Sequence, residues 1–519
     1  MALVIAGRLL PMASDPGVAA DQFACFRGRV WIADDGTIAA VTKGQRAGPG
    51  GFDAAPVVDV GSALVLPGLI DIHNHLAYNT LPLWSEPTRK LPYPHHNSWP
   101  GAPSYAASIT WPAYAFITAS PQELLAYVET KAIVGGTTSV QGSPPKNRPR
   151  DGWLVRNVED ETWQSGDANL VYASALTMKP AALADRANRM KPGPGHTGSL
   201  FIYHCAEGRP GSVVATEFRD AASAGCLQER FVAVHCNAVD PQVFAQWRSP
   251  GAIAWSPLSN LWLYGSTTDV PAALRAGLSV CLGSDWAPSG SKNVLGELKV
   301  ARIVADHLGW EVSDAQLVQM VTGNPGDVLA RAWRHQTGRL QPGAAADVTV
   351  IAAPARAEPF GAVLKATEDD VQLVVVNGAA RYGTPALMTA AAARTVTTLT
   401  VAGHKRALSL PDPADPARAW PWKRVLARLE QVRADPKREI EHGQARLAEW
   451  SGILDRPDAP LRLALDMPTG VAPVGGLPQD LTQIHIPPLD SLTHDAAFLA
   501  GLTGRGFHDH VLDKLADYY

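Results

Sequence analysis

Cysteine is scarce and unpatterned. The five in 519 residues (Cys25, Cys205, Cys226, Cys236 and Cys281) are an odd number with no regular spacing and no CxxC pair. That excludes a disulfide framework and a cysteine-based zinc site. Net charge is nearly absent, formally −4, so no surface for nucleic acid or acidic lipid is expected. No apolar run is long enough to span a membrane. The opening Met1-Ala2-Leu3-Val4-Ile5-Ala6-Gly7 lacks a basic stretch and a long apolar core, so no signal peptide is expected and the expected location is the cytoplasm. No glycine-rich phosphate loop follows any strand-like run, and no internal repeat is found. An apolar fraction of 46% suits a globular chain rather than a disordered one. The length exceeds one ordinary domain and accommodates a large barrel with a smaller partner domain. Tryptophan, by contrast, is abundant at 15 residues, and some are expected to line a pocket rather than a core.

Residues 1–64 read as short strands and turns. Leu3-Val4-Ile5 precedes Gly7, and Val30-Trp31-Ile32 and Ile38-Ala39-Ala40-Val41 flank Asp35-Gly36, a good hairpin turn. Beyond residue 65, strands alternate with helices. Helices are predicted over 122–133, ended by Gly135-Gly136, and over 213–224 and 294–307. Strands are predicted over 137–140, 169–173, 200–204, 231–235, 252–255 and 279–283. This alternation predicts an α/β fold, a (β/α)8 TIM-like barrel over 65–337, with a doubly wound open sheet as the alternative. Short strands return over 338–400 and are expected to pair with residues 1–64 in a small β domain. Residues 401–519 form a C-terminal extension. Its helices are predicted over 422–433 and 438–450, and its last stretch is expected to wrap over the barrel or cover a subunit interface.

The run Val65-Leu66-Pro67-Gly68-Leu69-Ile70-Asp71-Ile72-His73-Asn74-His75 ends in two histidines two positions apart, which share a face in a strand. Alone, the pair reads either as polar residues where a strand meets solvent or as two ligands of one metal ion. Three other strands end alike. His204 closes 200–204 with Glu207 three residues on, His235 closes 231–235, and Asp285 follows 279–284. A (β/α)8 barrel brings every strand's C-terminal end to one rim, where catalytic groups gather, so these coincidences point to a metal site. Three neutral imidazoles and a carboxylate bind a divalent ion and leave a position for water, whose pKa the ion lowers toward 7. Asp285 can bind the ion and accept the water's proton, and Glu207 can pass a proton to the leaving group. His235 can bind a metal or hydrogen-bond the attacking water and the developing oxyanion. No serine or cysteine nucleophile is required. Cys205 and Cys236 directly follow candidate histidines and are expected to turn away into apolar surroundings.

In this order the segments resemble the amidohydrolase superfamily, most of all its branch of cytosine deaminases, guanine deaminases and triazine hydrolases, over residues 1–385. The family's opening motif is matched by Pro67-Gly68-Leu69-Ile70-Asp71-Ile72-His73-Asn74-His75. Its later motifs are matched by Gly135-Gly136-Thr137-Thr138, His204-Cys205-Ala206-Glu207, His235, Ser256-Pro257-Leu258-Ser259-Asn260, Leu282-Gly283-Ser284-Asp285 and the phrase from Gly338 to Asp347. The resemblance implies that His73, His75, His204 and Asp285 hold one divalent ion per chain, zinc first, with iron or manganese also suited to the ligands. It implies Glu207 as the acid–base residue, His235 as the group that orients or activates water, and a β-sandwich built from both chain ends beside the barrel. Asp347 would belong to that sandwich and have no catalytic role. In two-metal relatives a carboxylated lysine on the fourth strand bridges the ions; Lys179 is the candidate here, although it lies past the apolar stretch beside Pro180.

Two stretches have no counterpart in that branch: residues beyond about 390, and the loop 76–113 with Trp84, Tyr93, His95, His96, Trp99, Tyr105 and Trp111. The aromatic loop suggests a flat or hydrophobic substrate, with Trp84, Trp99, Ser259, Asn260 and Trp286 as expected contacts. No metal role is expected for His95-His96. The leading expectation is a metal-dependent hydrolase of non-peptide C–N bonds, deaminating a heterocyclic amine or cleaving an amide. The alternatives are a triazine-type dehalogenating hydrolase, a binuclear cyclic-amide or dipeptide hydrolase using carboxylated Lys179, and a non-catalytic metal-binding scaffold. The expected partners are a small-molecule substrate and a second copy in a homodimer.

Overall fold

The computed structural model describes residues 2–12, 25–142, 154–159, 170–193, 198–247, 250–333, 335–450, 476–503 and 506–519. Its centre is a set of short parallel strands in two ladders. Three form one sheet in the order Leu69–Asp71, Thr137–Val140, Arg156–Asn157, and five form another running from Val171–Ser174 through Leu200–Cys205, Phe231–His235 and Ala252–Trp255 to Ser279–Leu282. Neighbours in space are neighbours in sequence and every pair is parallel, the pattern of a TIM-barrel-type α/β fold. The first and last strands meet at a parallel bridge between Asn74 and Asp285, where Asp285 N donates to His73 O at 2.9 Å. Parallel strands covered on both faces read as unbroken apolar runs, which is why 231–235 and 252–255 were predicted to the residue. Residue 169, at the start of another predicted strand, lies outside the described residues.

The strand faces separate cleanly. Ile70, Ile72, Leu200, Ile202, Val232, Val234, Ala252 and Ala254 share one cluster, closed by Val328, Leu329 and Trp333 around the helix Gly323–Ala330. Phe201, Tyr203, Phe231, Ala233, Ile253 and Leu282 point the other way and pack with helices such as Pro121–Val134 and Val294–His307. Cys205 and Cys236 join this second cluster, away from the histidines.

Both parts of the chain outside these ladders contribute to one nine-stranded mixed sheet. Leu3–Leu9, Phe26–Ile32, Ile38–Lys43 and Val57–Pro67 fill one half, and Val348–Ile351 pairs antiparallel with Val57–Pro67 to begin the other. The hairpin Val396–Val401 and His404–Ser409 forms the far edge, so this sheet crosses residue 400 and runs to Ser409. Val57–Pro67, of which the sequence pattern marks only the last residues from Val65, feeds directly into Leu69–Asp71 across Gly68. A Cβ at Gly68 would overlap Thr138, so only glycine allows the two strands to meet there.

The third strand of the smaller ladder is tied to this sheet by a buried ion pair. Arg156 Nε donates to Asp347 Oδ2 at 2.6 Å, and neither side chain is more than 1% exposed. Thr337 Oγ1 and Asn377 N also donate to Asp347. Asp347 is therefore structural, and cutting the pair leaves an uncompensated buried charge. Arg156→Ala should cost about 3–5 kcal/mol, read as a lower urea midpoint; a midpoint within error of wild type would refute this role.

Past Ser409, the helices Trp422–Ala434 and Pro436–Trp450 lie against Trp111–Ala119 and Pro121–Val134, with Trp422 stacked on Tyr127. The final segment also covers the helical layer. Lys292 Nζ donates to Asp490 O at 2.6 Å, Tyr127 OH to Pro487 O, and Phe507 N to Trp262 O at 3.2 Å. No helix among the described residues is long and apolar enough to cross a membrane.

Candidate active site

Four of the strands deliver the predicted residues to one mouth, but alternation alone does not put them there. Val234 faces the inner cluster, so strict period-two geometry would send His235 outward. Instead His235 is left-handed (φ 65°), as are Ala206 just before Glu207 (φ 56°) and Asp285 (φ 62°). These non-glycine positive-φ residues are uncommon, and those at Ala206 and His235 break the strand pattern where a polar side chain must turn inward, whereas Asp285 shares the parity of Cys281 in the inner cluster. Gly283 completes the approach, since a Cβ there would overlap His73. Asp71 then ties the two loops together, accepting from Ser284 N at 3.0 Å, Ser284 Oγ at 2.5 Å and Asn74 Nδ2 at 3.0 Å.

One donor atom from each of His73, His75, His204 and Asp285 lies within 4.8 Å of the other three. His73 Nε2 is 2.9 Å and His75 Nε2 3.5 Å from Asp285 Oδ1, and His75 Nε2 is 3.2 Å from His204 Nε2. Ligands about 2.1 Å from one tetrahedral ion stand about 3.4 Å from each other, so the spacing fits a single cation. The donor chemistry fits too. Two facing imidazole nitrogens can share only one proton, whereas a cation satisfies both. His204 Nδ1 donates to Ser174 O at 3.2 Å, which leaves Nε2 as the lone-pair nitrogen, the usual arrangement of a ligating histidine. Burial holds His204 well below the ordinary histidine pKa, and the neighbouring imidazoles add to the effect. Burial opposes charge on Asp285 as well, but His73 and His235 outweigh it and hold the carboxyl well below its usual range. Neutral imidazole and ionised carboxylate are the forms that bind metal.

Glu207 and His235 form a second group with His204, again with donor atoms within 4.8 Å. Asn260 Nδ2 donates to His235 Nδ1 at 3.0 Å. Burial keeps that ring's pKa low, so its single proton sits on Nε2. Nε2 is buried without a hydrogen-bond partner, 3.7 Å from Glu207 Oε2 and 3.8 Å from Asp285 Oδ2. Tyr264 OH donates to Glu207 Oε1 at 2.6 Å and receives Trp99 Nε1 at 3.0 Å.

Above this centre is a cavity of ≈ 310 Å³. Of the expected substrate contacts, Trp99, Ser259 and Trp286 line it, with Trp286 stacked on Trp99 at 4.9 Å between centroids. Trp84 and Asn260 are outside the lining. Trp84 backs the aromatic wall from behind, edge-on to Tyr105, and Asn260 serves His235. Trp255 and Trp262 are buried elsewhere. Lys179 is exposed before the helix Pro180–Arg189 and is not among the residues that line the cavity. His96 and Tyr78 in the lining, and Tyr264 behind Glu207, are further site residues that the sequence pattern does not mark. Tyr264 follows Asn260 by four residues on the helix Pro257–Tyr264, and that i, i+4 spacing could have revealed it. Trp286→Ala should raise KM roughly tenfold, as expected when an aromatic wall of this size is lost, with a smaller change in kcat. Steady-state kinetics on any turned-over substrate tests this, and an unchanged KM would remove Trp286 from the binding wall.

The amidohydrolase family model matches residues 196–405, which include His204, Glu207, His235 and Asp285. This chain carries an amidohydrolase-family domain. Among curated proteins, this chain is similar to the S-triazine hydrolase of Gordonia rubripertincta, 28% identical over 165 residues, 30% of this chain and 34% of that protein. The match thus spans well under two thirds of that relative. A 5-methylthioadenosine/S-adenosylhomocysteine deaminase of Moorella thermoacetica is 23% identical over 367 residues, 64% of this chain and 84% of that protein. Among solved structures, an adenosine deaminase from Xanthomonas campestris with bound zinc aligns with a TM-score of 0.52 at 17% identity, over 73% of this chain and 92% of that one. At that identity the likeness bears on the fold alone.

Proposed function

We propose that this amidohydrolase-family chain is a metal-dependent hydrolase of non-peptide C–N bonds, acting on a flat heterocyclic amine or amide. The observation that carries it is the convergence of His73, His75, His204 and Asp285, with Glu207 and His235 beside them, at the floor of an aromatic-walled cavity. We read the two parallel ladders as one (β/α)8 barrel and the nine-stranded sheet, folded over its own apolar cluster, as the sandwich beside it. The four ligands would hold one divalent ion, and zinc suits them best; the zinc named with the Xanthomonas deaminase supports that choice. A bound ion would acidify a water toward neutrality and so supply a nucleophile at ordinary pH.

The remaining steps fall to the chain. Asp285 is held ionised and receives a proton of the attacking water. His235 donates from Nε2 to the attacking oxygen or, on an amide, to the carbonyl oxygen that gains charge as the carbon becomes tetrahedral. Glu207 carries a proton to the departing nitrogen, its carboxyl fixed by Tyr264. The oxygen is thereby added to carbon, the C–N bond breaks, and the nitrogen leaves protonated. Trp99 and Trp286 supply the flat walls, and among the described lining residues no lysine or arginine offers a partner for an anionic substrate.

The test is a panel of aminated heterocycles and amides incubated with metal-replete protein, with ammonia release followed. Halide and thiol release are measured in parallel on triazine-like rings. Release of ammonia that stops on chelation supports the reading; release of halide or thiol alone would move the assignment to the dehalogenating alternative.

A further inference from the structure

The aromatic loop is stitched to the turn that carries Glu207. His95 forms an antiparallel bridge with Gly208, His96 N donates to Glu207 O at 3.1 Å, and Arg209 N donates to Pro94 O at 2.9 Å. This backbone pairing inserts the His96 ring between two carboxylates. Nδ1 lies 3.6 Å from Glu207 Oε2 and Nε2 lies 3.4 Å from Glu217 Oε1, all three side chains being buried. Glu217, on the helix Thr216–Ser223, is itself fixed by Thr177 Oγ1 at 2.7 Å and Ala206 N at 2.9 Å. His96 also lines the substrate cavity, yet the metal site and the proton transfers above make no use of it.

We propose that His96 is a positioning residue for Glu207: a ring brought in by the substrate loop and anchored by Glu217, which fixes the Glu207 carboxyl from the side of the cavity. The loop that shapes the pocket would then also prepare the acid–base group.

The groups facing His96 are Glu207 and Glu217, its neighbour His95, the Asn97 amide at 3.2 Å and the Thr177 hydroxyl at 3.5 Å. Tyr264 and His235 reach Glu207 from its other side. Burial disfavours a charge on His96, but the hydrogen bond to Glu217 and the two carboxylates outweigh it, so its pKa is raised. Glu217 shifts the complementary way: burial would raise it, but His96 and Thr177 hold it below its usual value.

The inference rests on the hydrolase reading for its kinetic arm only. In the full-length, metal-replete enzyme, His96→Gln should lower kcat on the order of tenfold, with KM and metal content little changed. The limb of the pH profile that reports Glu207 should move up by about one unit, because a carboxyl that loses a nearby cation binds its proton more tightly. Glu217→Gln should move it the same way. A lower kcat with an unmoved limb would mean a merely structural loop contact and would overturn the proposal. The second arm needs no substrate: the His96 ring is titrated by NMR in the wild-type protein, its signal assigned by its loss in His96→Gln. A midpoint above the ordinary ~6.5, lowered in Glu217→Gln, supports the proposal; a midpoint at or below it overturns the proposal whether or not a substrate is found. A substrate panel with no turnover would count against the hydrolase reading and leave the titration to decide on His96.

Discussion

Glu207→Gln should retain the bound metal and lose at least about 100-fold in turnover, the lower end of what a positioned acid–base group contributes. Glutamine preserves the shape, and its amide oxygen can still accept the Tyr264 hydroxyl that Glu207 Oε1 accepts at 2.6 Å. It cannot carry a proton to a leaving nitrogen. KM should move little, because Glu207 is one of many cavity-lining groups, among them Tyr78, Trp99, Tyr105 and Trp286. Metal content decides between two roles for this side chain. Glu207 also belongs to a ligand-type group with His204 and His235, so a variant that loses both turnover and metal would place Glu207 among the ligands. A variant with unchanged turnover would give it no part in the chemistry.

The sequence exposed the site well because buried parallel strands and their polar ends contrast sharply. Phe231–His235 and Ala252–Trp255 are continuous apolar runs that stop at a functional residue or motif. What pattern reading could not supply is direction. The inward turns of His235 and Glu207 depend on left-handed backbone at His235 and Ala206, and neither residue type announces that conformation as glycine would. Val57–Pro67 was missed for the opposite reason. Its first half alternates weakly and is partly exposed, with Asp59, Gly61 and Ser62 interrupting the apolar run, so only its last residues looked like strand. The helix Trp111–Ala119 lay hidden at the end of what read as a loop, because Trp111, Tyr114 and Phe116 resembled the aromatic residues before them. Trp84 reads as a pocket residue by its place in the aromatic loop and Asn260 by the segment 256–260, but each serves the layer behind the pocket.

Asp285→Asn should have a still larger effect, at least about 1000-fold on turnover, because a ligand and a proton acceptor are lost together. Asp285 Oδ1 faces His73 and His75, Oδ2 faces His235, and its amide N is bonded to His73 O. The exchange keeps that geometry and removes the one negative charge that the first ligand group sets among its imidazoles. A dication would then meet four neutral donors, and its affinity should fall steeply. Thermal melting separates this from a general loss of fold. A ligand that binds only the native state stabilises it by about 2.7 kcal/mol at 100 times its dissociation constant, so wild-type melting should rise when zinc is added to stripped protein. The variant should melt close to stripped wild type and show little further rise. If Asp285→Asn binds zinc as tightly as wild type and keeps turnover within tenfold, the four-ligand centre is wrong, and the cation belongs instead with His204, Glu207 and His235.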